Sequence, residues 1–300
     1  MVVVAEQPSL ARSASSVPFE RSRAQRALAT GRREPRLIIF GAVILVMVLI
    51  GIFAPLLAPY DPIKPEPANV LQAPSSAHIL GTDNLGRDQL SRVLYGTRVS
   101  LSVAVIAVTI ALGGGVSMGL AAGYVGGALD QTLSRFIDAM LAFPGVLLAI
   151  AVTSALGPSL RNAMIAIGII GIPLYFRLTR GQVLQARGQE YVVAAAVLGA
   201  PRMRILTRHI MPNIANPLIV AASISSSTAI LALAALSFIG IGPQPPDPDW
   251  GSMINAASGV LNRSPWLSFG PGLAIFLTVF SFSMLGDALR DALDPRLRNR

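Results

Sequence analysis

Six long stretches of this chain carry no charged residue: Leu37–Tyr60, Val99–Leu129, Ala139–Leu160, Asn162–Phe176, Ile210–Pro246 and Ser264–Gly286. A helix needs roughly 20 apolar residues to cross the ~30 Å hydrocarbon core of a bilayer. Four stretches meet that length outright. Asn162–Phe176 is short and must borrow flanking residues. Ile210–Pro246 exceeds one span and contains Pro212, Pro217 and Pro243, which place its helix near Asn216–Leu236. Charged residues make up only 13% of the chain, against about 25% in a soluble domain, and the mean hydropathy is +0.61. Buried helices of a large soluble protein fit six such stretches in 300 residues poorly. The pattern predicts an all-α integral membrane protein with six transmembrane helices.

The basic residues then set an orientation, because cytoplasmic loops carry the excess of Lys and Arg. Residues 1–36 hold seven arginines, 177–212 hold six and 287–300 hold four. With six spans and the N-terminus inside, 18 basic residues fall on the cytoplasmic side and 6 outside. Both termini are therefore expected in the cytoplasm of a multi-pass bacterial-type inner membrane protein. The expected organisation is a basic, mostly disordered tail over 1–36, rich in Ser, Arg and Ala. A first span with an extracytoplasmic, Pro-rich segment follows over 37–98. A five-helix block over 99–290 contains a cytoplasmic loop at about 179–213, and a short C-terminal tail closes the chain over 291–300. The run Leu37–Leu57 exceeds a signal-peptide core of about 7–15 residues, so it is expected to remain as a helix.

Several chemistries are excluded early. There is no cysteine, and the two histidines, His78 and His209, lie in different inter-helix segments, so no metal site is expected. The +9 charge sits at the ends of spans, which favours membrane orientation over nucleic-acid binding. A phosphate loop ends in Gly-Lys-Ser/Thr; the only lysine, Lys64, is followed by Pro65. The spans hold few ionisable groups, whereas ion-coupled carriers usually keep carboxylates or histidines there. Energy is expected to come from another subunit. The triple glycine Gly113–Gly115 and the further span glycines Gly119, Gly123, Gly168 and Gly171 suit close helix packing; the competing reading is a flexible wall.

The longest cytoplasmic loop separates the fourth and fifth spans. Gln182–Leu198 is rich in helix formers, with Gly188 a weak point. Gly199 suits a left-handed helix end, and Pro201 can open the next helix, Arg202–Ile210. Pro212 and Pro217 are expected to punctuate the return to the bilayer. The chemistry of this basic hairpin alone fits equally a helix lying on anionic lipid or a docking element for a cytoplasmic partner.

The run AAAVLGAPRMRILTRHIMPN resembles the loop of bacterial ABC importer permeases, whose pattern is Glu-Ala-Ala, three residues, Gly, then an Ile-x-Leu-Pro ending. Ala194, Ala195, Gly199 and Pro212 fit; Val193 stands at the glutamate position, Met211 at the leucine, and His209 at the isoleucine, with Ile210 next. HILGTDNLGRDQLSRVLYGTRVSL resembles an outer motif of the peptide and nickel permease family, in its C-type second subunit. Its core residues are Gly81, Thr82, Asp83, Gly86, Arg87 and Asp88, given a structural role: the glycines permit tight turns and the charges can pair. LSFIGIGPQPPDPDWGSMI, AFPGVLLAI and LGDALRDALDPRLR fit the same subunit type. Trp250 is expected at the membrane interface.

The resemblance implies an ABC importer type I-like permease fold with a cytoplasmic coupling helix. Ala194, Ala195, Gly199, Ala200, Pro201, Arg202 and Pro212 would couple it to an ATPase. The implied partners are a sister permease, two ATPase subunits or domains that bind ATP and Mg, an extracytoplasmic solute-binding protein, and membrane lipid. No catalytic residue, nucleic acid or cofactor is expected in this chain, and the substrate-binding residues are left open. The solute would be a peptide or similar small molecule, imported by alternating access. The rival reading is a stand-alone secondary transporter or channel.

Overall fold

The structure is a computed structural model that describes residues 35–293. The basic tail and most of the C-terminal tail lie outside the described residues. Nine helices account for the described fold: α1 Pro35–Leu57, α2 Gln89–Val125, α3 Gly127–Leu141, α4 Gly145–Leu156, α5 Leu160–Arg187, α6 Glu190–Val197, α7 Arg202–Phe238, α8 Trp250–Ser258 and α9 Trp266–Leu293. Among the described residues there is no strand, only an isolated bridge between Thr82 and Asp88.

Five helices (α1, α2, α5, α7 and α9) are each long and apolar enough to cross a bilayer. The sixth crossing is not one helix. α3 and α4 meet at a 92° bend. The break falls at Ala142–Pro144, since a residue before proline is pushed out of the helical region. The 12 residues of α4 span only about 18 Å, short of the hydrocarbon thickness, so the expected sixth span is a bent element.

Three other boundaries differ from the sequence reading. The expected loop helix Gln182–Leu198 splits at Gly188, its first residues extending α5 to Arg187 and the rest forming α6. α2 starts at Gln89, ten residues before Val99, because Asp88 caps it through Ser91 N at 2.8 Å. At 37 residues it extends about 56 Å, and its first turns stand beyond the bilayer. α7 does not break at Pro212 or Pro217. Residues Ile205–Ile210 adopt a π-helix, and Met211 N–H bonds Leu206 O, five residues back. This wider turn lets the chain enter the proline segment without interruption.

The centre of the bundle is the α2–α5 pair. A Cβ on Gly115 would lie 2.5 Å from Tyr175 Cβ, and one on Gly119 would lie 2.7 Å from Thr179 Cβ and 2.9 Å from Phe176 O. Gly123 meets Val183 in the same way. Glycines four residues apart therefore bring two backbones into contact, which is how helices associate where lipid supplies no hydrophobic drive. Gly113 has open space around it, so only part of the glycine set is committed to packing. α1 lies outside, along α2 and α9, with Gly51 3.5 Å from the Arg98 backbone and Phe40 edge-on to Phe280 at 5.5 Å. Its exposed Leu45, Ile52 and Leu56 suit a hydrocarbon surround.

Candidate functional site: a helical knob and a charged cap

At the end of the bundle where α2 and α5 finish, α5 stops at Arg187, and Gly188 separates it from α6. α6 closes with two reversed bonds: Gly199 N–H to Ala196 O and Ala200 N–H to Ala195 O, each 3.0 Å. This is a Schellman end, and it demands the left-handed conformation that Gly199 adopts at φ +80°. Pro201 caps the next helix, with Ile205 N–H bonded to its carbonyl at 3.1 Å. The chain thus turns back on itself in the four residues Leu198–Pro201.

The knob has two faces. Val192, Ile205, Ile210 and Ile214 are buried and join Val116, Tyr175, Val183 and Ala186 in one cluster, with Ala195 and Ala200 packed against it. This face of the knob therefore packs directly on α2 and α5. The other face is open. Val197 is 82% exposed, Leu198 86% and Met203 70%, and Arg202, Arg204 and Arg208 are exposed as well. Ala194 and Pro212 are also exposed. Val193, at the glutamate position of the resemblance, is half exposed and makes no ion pair. Asn213 Nδ2 ties the two arms by donating to Tyr191 Oη at 3.3 Å and His209 O at 2.6 Å.

Beside the knob, α3 is held to α5 by ion pairs. Arg180 binds Asp130 through both Nε and Nη2, the latter at 2.7 Å, and Arg177 reaches Asp138 at 2.8 Å. The first pair is partly shielded and the second is open to solvent.

The other end is a cap built by residues 58–92 and α8. Asp83 Oδ1 accepts from Leu85 N and Arg87 N, and its Oδ2 accepts from Arg87 Nε at 2.7 Å. Asp88 receives His78 Nδ1 at 2.9 Å and both N and Oγ of Ser91. Gly86, at φ +77°, passes so close to the Glu66 carbonyl that a Cβ would overlap it. Thr82 is fully buried and its hydroxyl bonds Asn69 O. The six motif residues thus occupy one buried, mutually bonded unit. Among the described residues no group of three His, Cys, Asp or Glu is placed to hold a metal.

Two features of the cap differ from expectation or were missed. Trp250, expected at the membrane interface, is only 1% exposed, and its Nε1 donates to Val93 O. Gly96 makes room for the indole, so tertiary contact overrides the residue's interfacial preference. Gln89 Nε2 bonds Leu267 O across 178 residues at 2.7 Å; only a polar residue in an otherwise helical start hinted at it. Asp249 caps α8 through Ser252 N. Burial pushes its carboxyl above the usual aspartate range.

A family described as the binding-protein-dependent transport system inner membrane component matches residues 115–299. A second, the N-terminal TM domain of oligopeptide transport permease C, matches residues 22–74. The dipeptide transport system permease protein DppC of Alkalihalophilus pseudofirmus is 46% identical over 89% of this chain and 88% of its own length. The protein of the same name from Haemophilus influenzae is 45% identical over 85% and 88%. The glutathione transport system permease protein GsiD of Escherichia coli is 42% identical over 89% and 88%. In structure, a chain of the inward-facing methionine ABC transporter MetNI matches with a TM-score of 0.55 at 17% identity, over 68% of this chain and 97% of that one. That likeness concerns the fold.

Proposed function

The chain belongs to the binding-protein-dependent transport system inner membrane component family, in its oligopeptide permease C branch, and from that premise we propose how it works and what it moves. It is a transmembrane permease subunit of an ABC importer. Short peptides or peptide-like molecules are its solute, on the strength of relatives named for dipeptide and glutathione transport. The knob faces the cytoplasm and the cap faces outward, which agrees with the distribution of basic residues.

ATP is bound and hydrolysed in two partner ATPases, and a sister permease completes the path. A solute-binding protein delivers the solute at the cap. The knob is where force enters. Its exposed Val197, Leu198 and Met203 offer apolar side chains, and Arg202, Arg204 and Arg208 add exposed positive charge. Partner ATPases that prefer one conformation when loaded with ATP shift the permease toward it by that difference in affinity. The buried face of the knob carries the displacement to Tyr175 and Val183 on α5 and Val116 on α2. The observation that carries this reading is the single turn at Gly199, which presents the apolar face outward while anchoring its reverse in the bundle.

The chain has no native cysteine, which allows a clean test. A Leu198→Cys variant is co-expressed with the ATPases of the same system and treated with a short bifunctional thiol reagent. Crosslinks to an ATPase whose yield changes on adding ATP support the reading. Labelling by a lipid-borne reagent alone, in every nucleotide state, refutes it.

A further inference from the structure

A cavity of about 90 Å³ lies between the motif segment and α8. Arg87, Gln89 and Arg92 line it, and the exposed Asn84, Pro245 and Ala256 frame its opening. Both arginines are more than nine-tenths buried. Arg87 uses Nε on Asp83 Oδ2. Arg92 uses Nη1 on Pro62 O at 2.8 Å, and its Nε stands 3.6 Å from the same Asp83 oxygen. Among the described residues neither guanidinium makes a further hydrogen bond. A guanidinium has five N–H donors, so most of the donors of this pair remain open to water or to a ligand in the cavity.

Two acids, Asp83 and Asp247, line the cavity beside the two arginines, and among the described residues only Asp83 is within ion-pair distance of them. Asp249 acts on Arg92 only from farther away, and its own Oδ1 has no partner. The planar fork of a guanidinium matches a carboxylate. The cavity has room for several waters or for one carboxylate.

We infer that this cavity is a carboxylate subsite at the outer mouth of the permease, which takes the C-terminal carboxylate of the solute or an acidic side chain of the solute-binding protein. The inference rests on the import reading for the origin of the carboxylate, though not for carboxylate binding.

The only tryptophans, Trp250 and Trp266, lie two residues from Ser252 and one from Leu267, both of which line the cavity. Intrinsic fluorescence of the purified full chain therefore reports on it. Sodium N-acetylalanine is expected to give a saturable change, and the uncharged N-acetylalaninamide none. Ala256→Leu, which plugs the rim and leaves the ion pairs alone, is expected to weaken the response ~tenfold or more with an unchanged melting temperature. Arg87→Gln should do the same; its melting curve shows whether the cap survives. Equal responses to acid and amide, no response in the wild type, or an unaltered response in folded Ala256→Leu would overturn the subsite.

Two arms separate the sources. If alanylalanine matches N-acetylalanine, the solute carboxylate is the ligand. If alanylalanine is inert while N-acetylalanine displaces the solute-binding protein, the protein's acid is the ligand. Neither arm needs ATP. A failed titration beside intact crosslinking at Leu198 removes only the subsite, and the reverse pattern removes only the import reading.

Discussion

The amide of Ala200 reaches back 3.0 Å to the carbonyl of Ala195, and this bond closes the last turn of α6 onto the arm that enters α7. Both residues pack on the cluster that joins the knob to α2 and α5. The bond exists only if Gly199, between them, stays left-handed. A Cβ at Gly199 meets nothing within 4 Å, so the restriction is conformational and not steric crowding from neighbours. Gly199→Val should cost about 1–3 kcal/mol of local strain. It should abolish uptake while leaving membrane insertion intact. Gly199→Asn, which tolerates the same region, should retain more uptake. Solute accumulation in cells, set against the amount of chain in the membrane, checks both.

The glycines of α2 divide into committed and free positions. Gly119→Leu would drive side-chain atoms into Thr179 and the Phe176 carbonyl, with no room to yield because both backbones are in contact. Overpacking of this kind costs about 1–3 kcal/mol or more. The variant should lose yield and melt several degrees lower in detergent. Gly113→Ala, in open space, should match the wild type or gain slightly from helix propensity. Thermal unfolding of the purified pair of variants decides this.

The two ion pairs of α3 should behave differently. Arg177–Asp138 is exposed on both sides, and such pairs contribute about 0–1 kcal/mol; Asp138→Asn should leave uptake unchanged. Arg180–Asp130 is forked and partly shielded. Asp130→Arg should reduce uptake, and adding Arg180→Asp should restore part of it. A double-mutant cycle on uptake measures the difference.

Asp249 predicts a pH dependence. Burial holds its folded pKa above the ordinary value. The protonated carboxyl is thus favoured by the fold, and its contribution is full at acid pH and lost as pH rises through the ordinary value to the folded one. Asp249→Asn keeps the N-cap, since Asn caps as well as Asp, and removes the charge. Its melting temperature should approach that of the wild type in acid and exceed it at neutral pH. Melting curves across that range test the sign.

The number and rough position of the crossings were legible because lipid leaves a chain few options: long uncharged runs have to become helices that satisfy their own backbone. The turn at Gly199 was legible for a similar local reason, since a glycine with a proline two residues on marks where a helix stops. The roles of other residues depended on partners far along the chain. Val99 looked like a helix start until Asp88, Ser91 and His78 came together at one N-terminus. The run after Ala139 looked like a single span, yet Pro144 bends it by 92°. Trp250 is an interfacial residue by type, and only the gap left at Gly96 buries it. The convergence of Arg87 and Arg92 with α8 has no trace in periodicity or composition, because it is set by which distant segments fold over one another. Local backbone chemistry and the solvent specified the helices; long-range packing specified where their polar groups meet.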